Sequence, residues 1–66
     1  MLITVNGEPR HIDDQTTIAD LLAELGLSST TLAIEVNLVL VPRARHAERV
    51  LAAGDTLEVV SLVGGG

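Results

Sequence analysis

The residues with the clearest chemical potential are the three glycines Gly64, Gly65 and Gly66 with which the sequence ends. Glycine has no Cβ and leaves the backbone mobile, so such a segment can enter a channel that larger residues would block. Three residues reach at most about 10 Å, which suits delivery of a terminal carboxylate into another protein's active site. Adenylation by ATP would turn that carboxylate into an acyl donor. A persulfide nucleophile followed by reduction would then leave a thiocarboxylate on Gly66. The simpler interpretation is a mobile chain terminus without a function.

The absence of cysteine limits the sulfur chemistry of the chain itself. Without cysteine there is no disulfide, no cysteine-ligated zinc and no thiol nucleophile. Any sulfur that the chain carries covalently would have to ride on the carboxyl terminus, because the Met1 sulfur is not exchangeable.

The remaining polar residues indicate no catalytic site. His11 and His46 have no second ligand at metal-binding spacing, so both are expected at the surface. No serine or threonine has a lysine or histidine partner that would make it a nucleophile. The sequence therefore predicts no catalytic residue, no metal site and no enzyme.

Two sets of charged residues, one acidic and one basic, each have a functional and a simpler interpretation. Three aspartates could form a cation site, namely Asp13, Asp14 and Asp20. Their expected positions in a solvated loop and in the first turn of a helix explain them better. Three arginines, Arg43, Arg45 and Arg49, could bind phosphate or an acidic partner. Their spacing does not place them on one helix face, and solvated surface charges explain them more simply.

Composition excludes several classes of function. Nine acidic residues against four basic ones give a net charge of −5, and the chain has neither lysine nor aromatic residues. A nucleic-acid-binding surface needs cations and usually stacking side chains. The N-terminal residues lack the pattern of a signal peptide, and the apolar stretch at residues 38–41 is too short to span a bilayer. We expect one cytoplasmic domain, monomeric when free, with no nucleic-acid or membrane partner.

Local signals predict the elements that would position the glycine tail, residues 64–66. Alternating residues 2–6 and 8–12 flank Asn6-Gly7, a strong hairpin signal, and Pro9 places the second strand at a sheet edge. Apolar residues at helical spacing predict a helix over residues 18–25. Its N-terminal signal is Thr17 with Asp20 in a capping box, and Gly26 ends it.

Further strands are predicted over residues 32–37 and 56–63, and a helical turn is possible within residues 43–51. Residues 38–41 are apolar on both faces, so they form either a short buried strand or a strand end. The sequence predicts an α+β domain over residues 1–63, in which a mixed sheet of four to five strands packs on one main helix. A flexible glycine tail, residues 64–66, follows.

The strand alternation assigns one face of the sheet to the helix. The residues expected on that face are Ile3, Val5, Ile34, Val36, Leu57 and Val59. The last strand would then expose Val60 and Leu62 beside the glycine tail. There they are candidates for docking a partner, although exposed aliphatic residues also occur without a function.

Several short segments are distributed over the whole chain. Each is a weak signal alone, but their order and spacing together are specific. They are Val5-Asn6-Gly7, residues 17–22, residues 33–37, Val41-Pro42-Arg43, Gly54-Asp55 and residues 63–66. In this pattern the chain resembles the ubiquitin-like β-grasp sulfur carriers, and among them the ThiS family of thiamine biosynthesis. It departs from the family in having no aromatic residue near the tail or after the Pro-Arg pair, so its docking patch would be aliphatic.

The resemblance implies a role as a protein co-substrate that binds no cofactor itself. A ThiF-like adenylating enzyme would activate Gly66 with ATP and Mg²⁺, a persulfide donor would supply sulfur, and a ThiG-like thiazole synthase would take that sulfur into the thiazole ring of thiamine. Gly64 and Gly65 match the part of the family's tail that enters the partners' active sites.

Other functions remain open at this point. The small subunit of molybdopterin synthase also ends in Gly-Gly, but it is usually longer and carries a proline before the tail, whereas residues 60–63 contain none. A sulfur carrier for cysteine or another metabolite is a further possibility. Functions of a different class are a protein modifier joined to target lysines and a non-covalent interaction module. Dependence on the free Gly66 carboxylate separates covalent from non-covalent function.

Overall fold

The computed structural model describes residues 1–62. Val63 and the glycine tail lie outside the described residues. The elements in chain order are β1 (Leu2–Val5), β2 (Glu8–His11), α1 (Ile18–Glu24), a 3₁₀ turn (Ser29–Thr31), β3 (Leu32–Val36), β4 (Val39–Val41), a second 3₁₀ turn (Arg43–Arg45) and β5 (Thr56–Ser61). The five strands form one sheet in the order β2-β1-β5-β3-β4. The central pair β1 and β5 is parallel and the other pairs are antiparallel, which confirms the predicted mixed sheet with one helix.

Helix α1 has the predicted signals at both ends. The Thr17 hydroxyl accepts from the Asp20 backbone N–H and the Asp20 carboxylate accepts from the Thr17 N–H, both at 3.1 Å, so the capping box is formed. At the other end Gly26 has a φ of +72°. There the N–H of Gly26 and of Leu27 donate to carbonyls of the last turn, which stops the helix one residue before its predicted end.

The core lies between α1 and one sheet face. All six residues predicted on the helix side are in the core cluster or packed against it. The helix contributes Ile18, Leu21 and Leu22, which are at most 2% exposed. Burial of aliphatic side chains therefore carries the stability of a chain that has no aromatic residue.

The first hairpin follows its sequence signal. Val5 pairs with Glu8 across a two-residue turn, in which Asn6 and Gly7 have φ values of +49° and +83°. The second strand is an edge strand, as Pro9 predicts.

The second hairpin was not expected from the sequence. Val36 pairs with Val39 across Asn37 and Leu38, whose φ values are +52° and +69°. The prediction of a strand through Asn37 is therefore one residue too long. For residues 38–41 the sequence left a short buried strand or a strand end open; a short strand forms over Val39–Val41, but only Val41 in it is buried. Leu38, Val39 and Leu40 are 85%, 64% and 61% exposed, because β4 is the edge strand next to solvent.

Contacts across the chain impose this second turn. The Asn37 N–H donates to the Thr56 carbonyl at 2.7 Å, and the Asn37 side chain accepts from the Thr56 N–H at 3.0 Å. The Asn37 amide also donates to the Asp55 carboxylate at 3.0 Å. Asn37 is thus fixed to the start of β5, and the chain has to reverse direction at Leu38.

The prediction that His46 lies at the surface is wrong. Its side chain is 2% exposed, and Nε2 lies 3.0 Å from the Val41 carbonyl oxygen. Since a carbonyl can only accept, Nε2 carries the hydrogen. The His46 carbonyl in turn accepts from the Ala19 N–H in the first turn of α1, at 2.9 Å. The buried imidazole therefore ties β4 to the helix N-terminus. His11, by contrast, is exposed as predicted.

Candidate functional site on the outer face of the sheet

The candidate site lies where β5 ends, on the sheet face opposite α1. Val60 and Leu62 are 51% and 66% exposed, which confirms the exposure predicted for them. Val60 is opposite Ala33 of β3 in the strand register, and the Leu62 N–H donates to the Thr31 carbonyl at 2.8 Å. The backbone is therefore held in the sheet up to the residue that precedes Val63 and the glycine tail.

A shallow hollow adjoins this point. We call it the tail-side hollow, and it is lined by Ser29, Thr30, Leu32, Ala33, Leu40, Val41, Pro42, Arg43 and Leu62. Leu62 of the predicted docking pair is thus a lining residue. Val60 lies on the same outer face, opposite the lining residue Ala33, but does not itself line the hollow. Six of the nine lining residues are apolar, and the others are Ser29, Thr30 and Arg43.

The Asn6 side chain holds β5 beside β1. Its side-chain oxygen accepts from the Val59 N–H at 2.7 Å, and its amide donates to the Val59 carbonyl at 3.2 Å. A side-chain amide offers the same donor and acceptor as a peptide group, so Asn6 extends the contact between β1 and β5 beyond the last paired residues, Val5 and Leu57. Asn6 thus holds β5 against β1 as far as Val59, two residues beyond the last paired residue of β5.

Sequence reasoning named only Leu62 and Arg43 of the nine lining residues and missed the others, among them Leu40 and Pro42. Leu40 belongs to the stretch that is apolar on both faces, and an exposed edge strand is one way in which such a stretch arises. Pro42 ends β4 directly before the second 3₁₀ turn. The signal was therefore in the sequence, but it did not distinguish a buried strand from an exposed one.

The arginines of residues 43–49 are divided between two surfaces. Arg43 lines the tail-side hollow, whereas Arg45 and Arg49 line a second groove on the other side of β4. The Arg49 N–H donates to the Arg45 carbonyl at 2.9 Å. This single turn of chain places the two side chains together, although the three arginines do not share a helix face.

The described residues contain little that could do chemistry by themselves. Within residues 1–62 no group of three or more His, Asp or Glu side chains is placed to hold a metal ion. Asp13 and Asp14 are exposed, and Asp20 serves the helix N-terminus. In the same part of the chain no helix is long and apolar enough to cross a membrane. The described residues thus present an exposed, mainly apolar surface where β5 ends, and Gly66, the predicted site of modification, lies outside them.

Comparisons with known proteins identify relatives of two kinds. The model of the ThiS family matches residues 3–66. A thiazole synthase of Paramagnetospirillum magneticum is 41% identical over the whole chain, and one of Magnetococcus marinus is 39% identical; the chain spans about a fifth (20%) of the length of each. The crystal structure of a thiamine biosynthesis protein (ThiS) from Geobacter metallireducens has a TM-score of 0.82 and 28% identity, with full coverage of both chains.

Proposed function

The chain belongs to the ThiS family, and from this premise we propose that it carries sulfur as a thiocarboxylate on Gly66 for synthesis of the thiamine thiazole ring. The observation that carries the proposal is the aliphatic tail-side hollow next to Leu62, since a partner docked there would receive the residues that follow. The similarity to thiazole synthases supports thiazole formation over molybdopterin synthesis as the destination of the sulfur.

The proposed chemistry takes place on partner enzymes. The Gly66 carboxylate attacks the α-phosphorus of ATP on a ThiF-like enzyme with Mg²⁺, and pyrophosphate leaves. The terminal sulfur of a persulfide then attacks the acyl carbon and displaces AMP, which gives an acyl disulfide. A thiol reductant supplies two electrons to cleave the S–S bond, so that the thiocarboxylate stays on Gly66 and the donor sulfur leaves as a thiolate.

This chain would contribute the handle and the docking surface in that sequence. Gly64 and Gly65 have no side chains to obstruct a narrow channel, and Val60 and Leu62 would dock against the enzyme surface around its mouth. A ThiG-like thiazole synthase would then accept the sulfur and release the chain for another cycle. The chain is a recycled co-substrate rather than a catalyst in this scheme, and we place it in the cytoplasm as a free monomer.

Intact mass spectrometry tests the covalent part. The chain is incubated with the cognate adenylating enzyme, ATP, Mg²⁺, a persulfide donor and a thiol reductant. We expect a gain equal to one oxygen replaced by one sulfur, localised to Gly66 by fragmentation and absent from a chain lacking Gly66. An unchanged mass, with an adenylating enzyme shown to bind the chain, would contradict the carrier function and favour a non-covalent interaction module. Amide conjugates to target lysines would instead identify a protein modifier.

A pair of matched substitutions tests the docking part. Leu62→Ser removes an aliphatic side chain that is 66% exposed, and Leu27→Ser removes one that is 42% exposed and lines neither surface groove. Burial of the exposed part of Leu62 by a partner is worth about 1–2 kcal/mol, so Leu62→Ser should lower kcat/KM for thiocarboxylate formation by roughly 5–30-fold. Leu27→Ser should leave it unchanged. Equal effects of the two substitutions would exclude the tail-side hollow as the docking surface.

A further inference from the structure

A second apolar surface lies on the free side of β4. We call it the edge groove, and it is lined by Val39, Leu40, Val41, Pro42, Arg45, Glu48 and Arg49. Val39 and Leu40 are 64% and 61% exposed, and Leu38, directly before them, is 85% exposed. Val39 shares the sheet face of Val36, and Leu40 shares the opposite face with Glu35, so this edge exposes large aliphatic side chains on both faces, with Leu38 in the adjoining turn, in contrast to the singly scattered residues that are common on proteins.

The backbone conformation of Leu38 is unfavourable for a leucine, in addition to the exposure of its side chain. Both hairpins of the sheet turn through two residues with positive φ, Asn6-Gly7 in one and Asn37-Leu38 in the other. The first hairpin has glycine, which adopts this conformation without strain, where the second has leucine, which does not. Leu38 is thus strained and gains little burial in return, which is expected of a side chain that contacts another molecule.

The cationic side of the groove is fixed by the fold. Arg45 and Arg49 are one turn apart, and the chain between them is anchored by buried His46, which bonds both β4 and the first turn of α1. The Glu48 carboxylate oxygen Oε2 lies 3.7 Å from the Arg45 guanidinium nitrogen Nη1 in an exposed ion pair. Two of the four basic residues of a chain with net charge −5 therefore flank one apolar groove.

We propose that the edge groove is a second docking site, and that it binds a protein surface on which an apolar side chain is flanked by carboxylates. Charge decides between the possible occupants. A second copy of this chain fits poorly, because it would bring four guanidinium groups against two Glu48 carboxylates. A free phosphate also fits poorly, because it would leave the exposed apolar residues 38–40 in water. The inference rests on the proposed function in one respect: the partner is the adenylating enzyme or the thiazole synthase that the carrier must visit.

Binding measurements with both purified enzymes test the apolar part. Leu38→Gly keeps the turn and removes the exposed side chain, whereas Val39→Thr keeps the shape and removes a methyl group from the groove. We expect each to raise the Kd for at least one enzyme, by about 5–30-fold for Leu38→Gly, as for truncation of an anchoring side chain. Leu27→Ala, which removes exposed aliphatic surface elsewhere, should bind like wild type. Unfolding of each variant is measured in parallel, so a loss of binding without a loss of stability is attributed to the contact.

Charge substitutions test the cationic part. Arg45→Gln with Arg49→Gln should slow association with the same enzyme roughly tenfold at low salt and flatten its salt dependence, whereas the two lysine substitutions should preserve most of that dependence. Wild-type Kd values for all these variants with both enzymes would overturn the proposal. So would self-association of the chain in sedimentation experiments that the arginine substitutions abolish. Chemical-shift changes at Arg45 and Arg49 with inorganic phosphate, combined with unaltered enzyme binding, would also overturn it and indicate a small-anion site.

The two proposals can fail separately. If thiocarboxylate forms on Gly66 and the groove variants behave as wild type, only the edge groove is excluded as a docking site. If the variants lose binding but no thiocarboxylate forms, the groove stands and the covalent function fails. If the wild-type chain binds neither enzyme, both are contradicted.

Discussion

Leu38→Gly should increase the stability of the fold, although it removes a large apolar side chain. A leucine in the left-handed region costs about 1–2 kcal/mol relative to the right-handed region, and the φ of Leu38 is +69°. Glycine adds unfolded-state entropy worth about 0.4–1 kcal/mol, and loss of the little burial that an 85% exposed leucine has costs a few tenths more. With each contribution at the middle of its range, the net increase in the free energy of unfolding is about 0.5 kcal/mol.

The reciprocal change in the first hairpin is the matched control. Gly7 has a φ of +83°, and a Cβ placed there meets no atom within 4 Å. Gly7→Leu therefore introduces about 1–2 kcal/mol of backbone strain without a steric clash. The lower entropy of the unfolded chain offsets about 0.4–1 kcal/mol of it, so the free energy of unfolding should fall by about 1 kcal/mol.

Urea and thermal unfolding followed by far-ultraviolet circular dichroism measure both changes, because the chain has no aromatic residue to fluoresce. For a domain of this size about 0.5 kcal/mol corresponds to a rise in Tm of roughly 2–4 °C. A fall in Tm for Leu38→Gly would refute the reasoning, since it would show that the Leu38 side chain stabilises the free fold by packing.

Three further substitutions test the contacts that hold the site in place, each by urea unfolding. Thr17→Ala removes half of the capping box and should cost about 1 kcal/mol; a change below a few tenths would show that the cap contributes nothing. His46→Ala removes a buried ring and its bond to Val41 and should cost about 2–4 kcal/mol, with partial recovery in His46→Gln, whose amide can still donate. The Asp55 carboxylate accepts hydrogen bonds from the Ala52 N–H and the Asn37 amide at 2.8 and 3.0 Å. Asp55→Asn replaces one acceptor with an N–H and should lower the free energy of unfolding by about 1–3 kcal/mol; wild-type stability would contradict this pairing.

The predictable parts of the fold are those with local causes. Asn6-Gly7 specifies its turn by backbone preference, and the Thr17 capping box with Gly26 specifies both ends of α1 within a few residues of chain. Alternation along β1, β3 and β5 then assigns the core face correctly, because one buried face is enough to set the phase of a strand.

The unpredicted parts have no local signal in the sequence. The turn at Leu38 is imposed by contacts of Asn37 with Asp55 and Thr56, 18 and 19 residues away, and leucine gives no turn signal. His46 is buried by a segment without regular periodicity, so nothing near it in the sequence indicates its partner Val41. For the site, exposure of Val60 and Leu62 followed from alternation, but the contribution of β4 required knowledge of which strand lies at the edge.

The position of β5 has a consequence for the order in which the fold is completed. This strand is made after the other four, yet it lies between β1 and β3 in the sheet and is the only one that joins the two hairpins within the described residues. During synthesis the β1–β2 and β3–β4 hairpins therefore have no shared hydrogen bonds between strands until β5 emerges. Glycines 64–66 follow almost directly. Insertion of β5 both closes the sheet and holds the residues that lead to those glycines, so an incompletely folded chain would lack the surface that we propose as the docking site beside them.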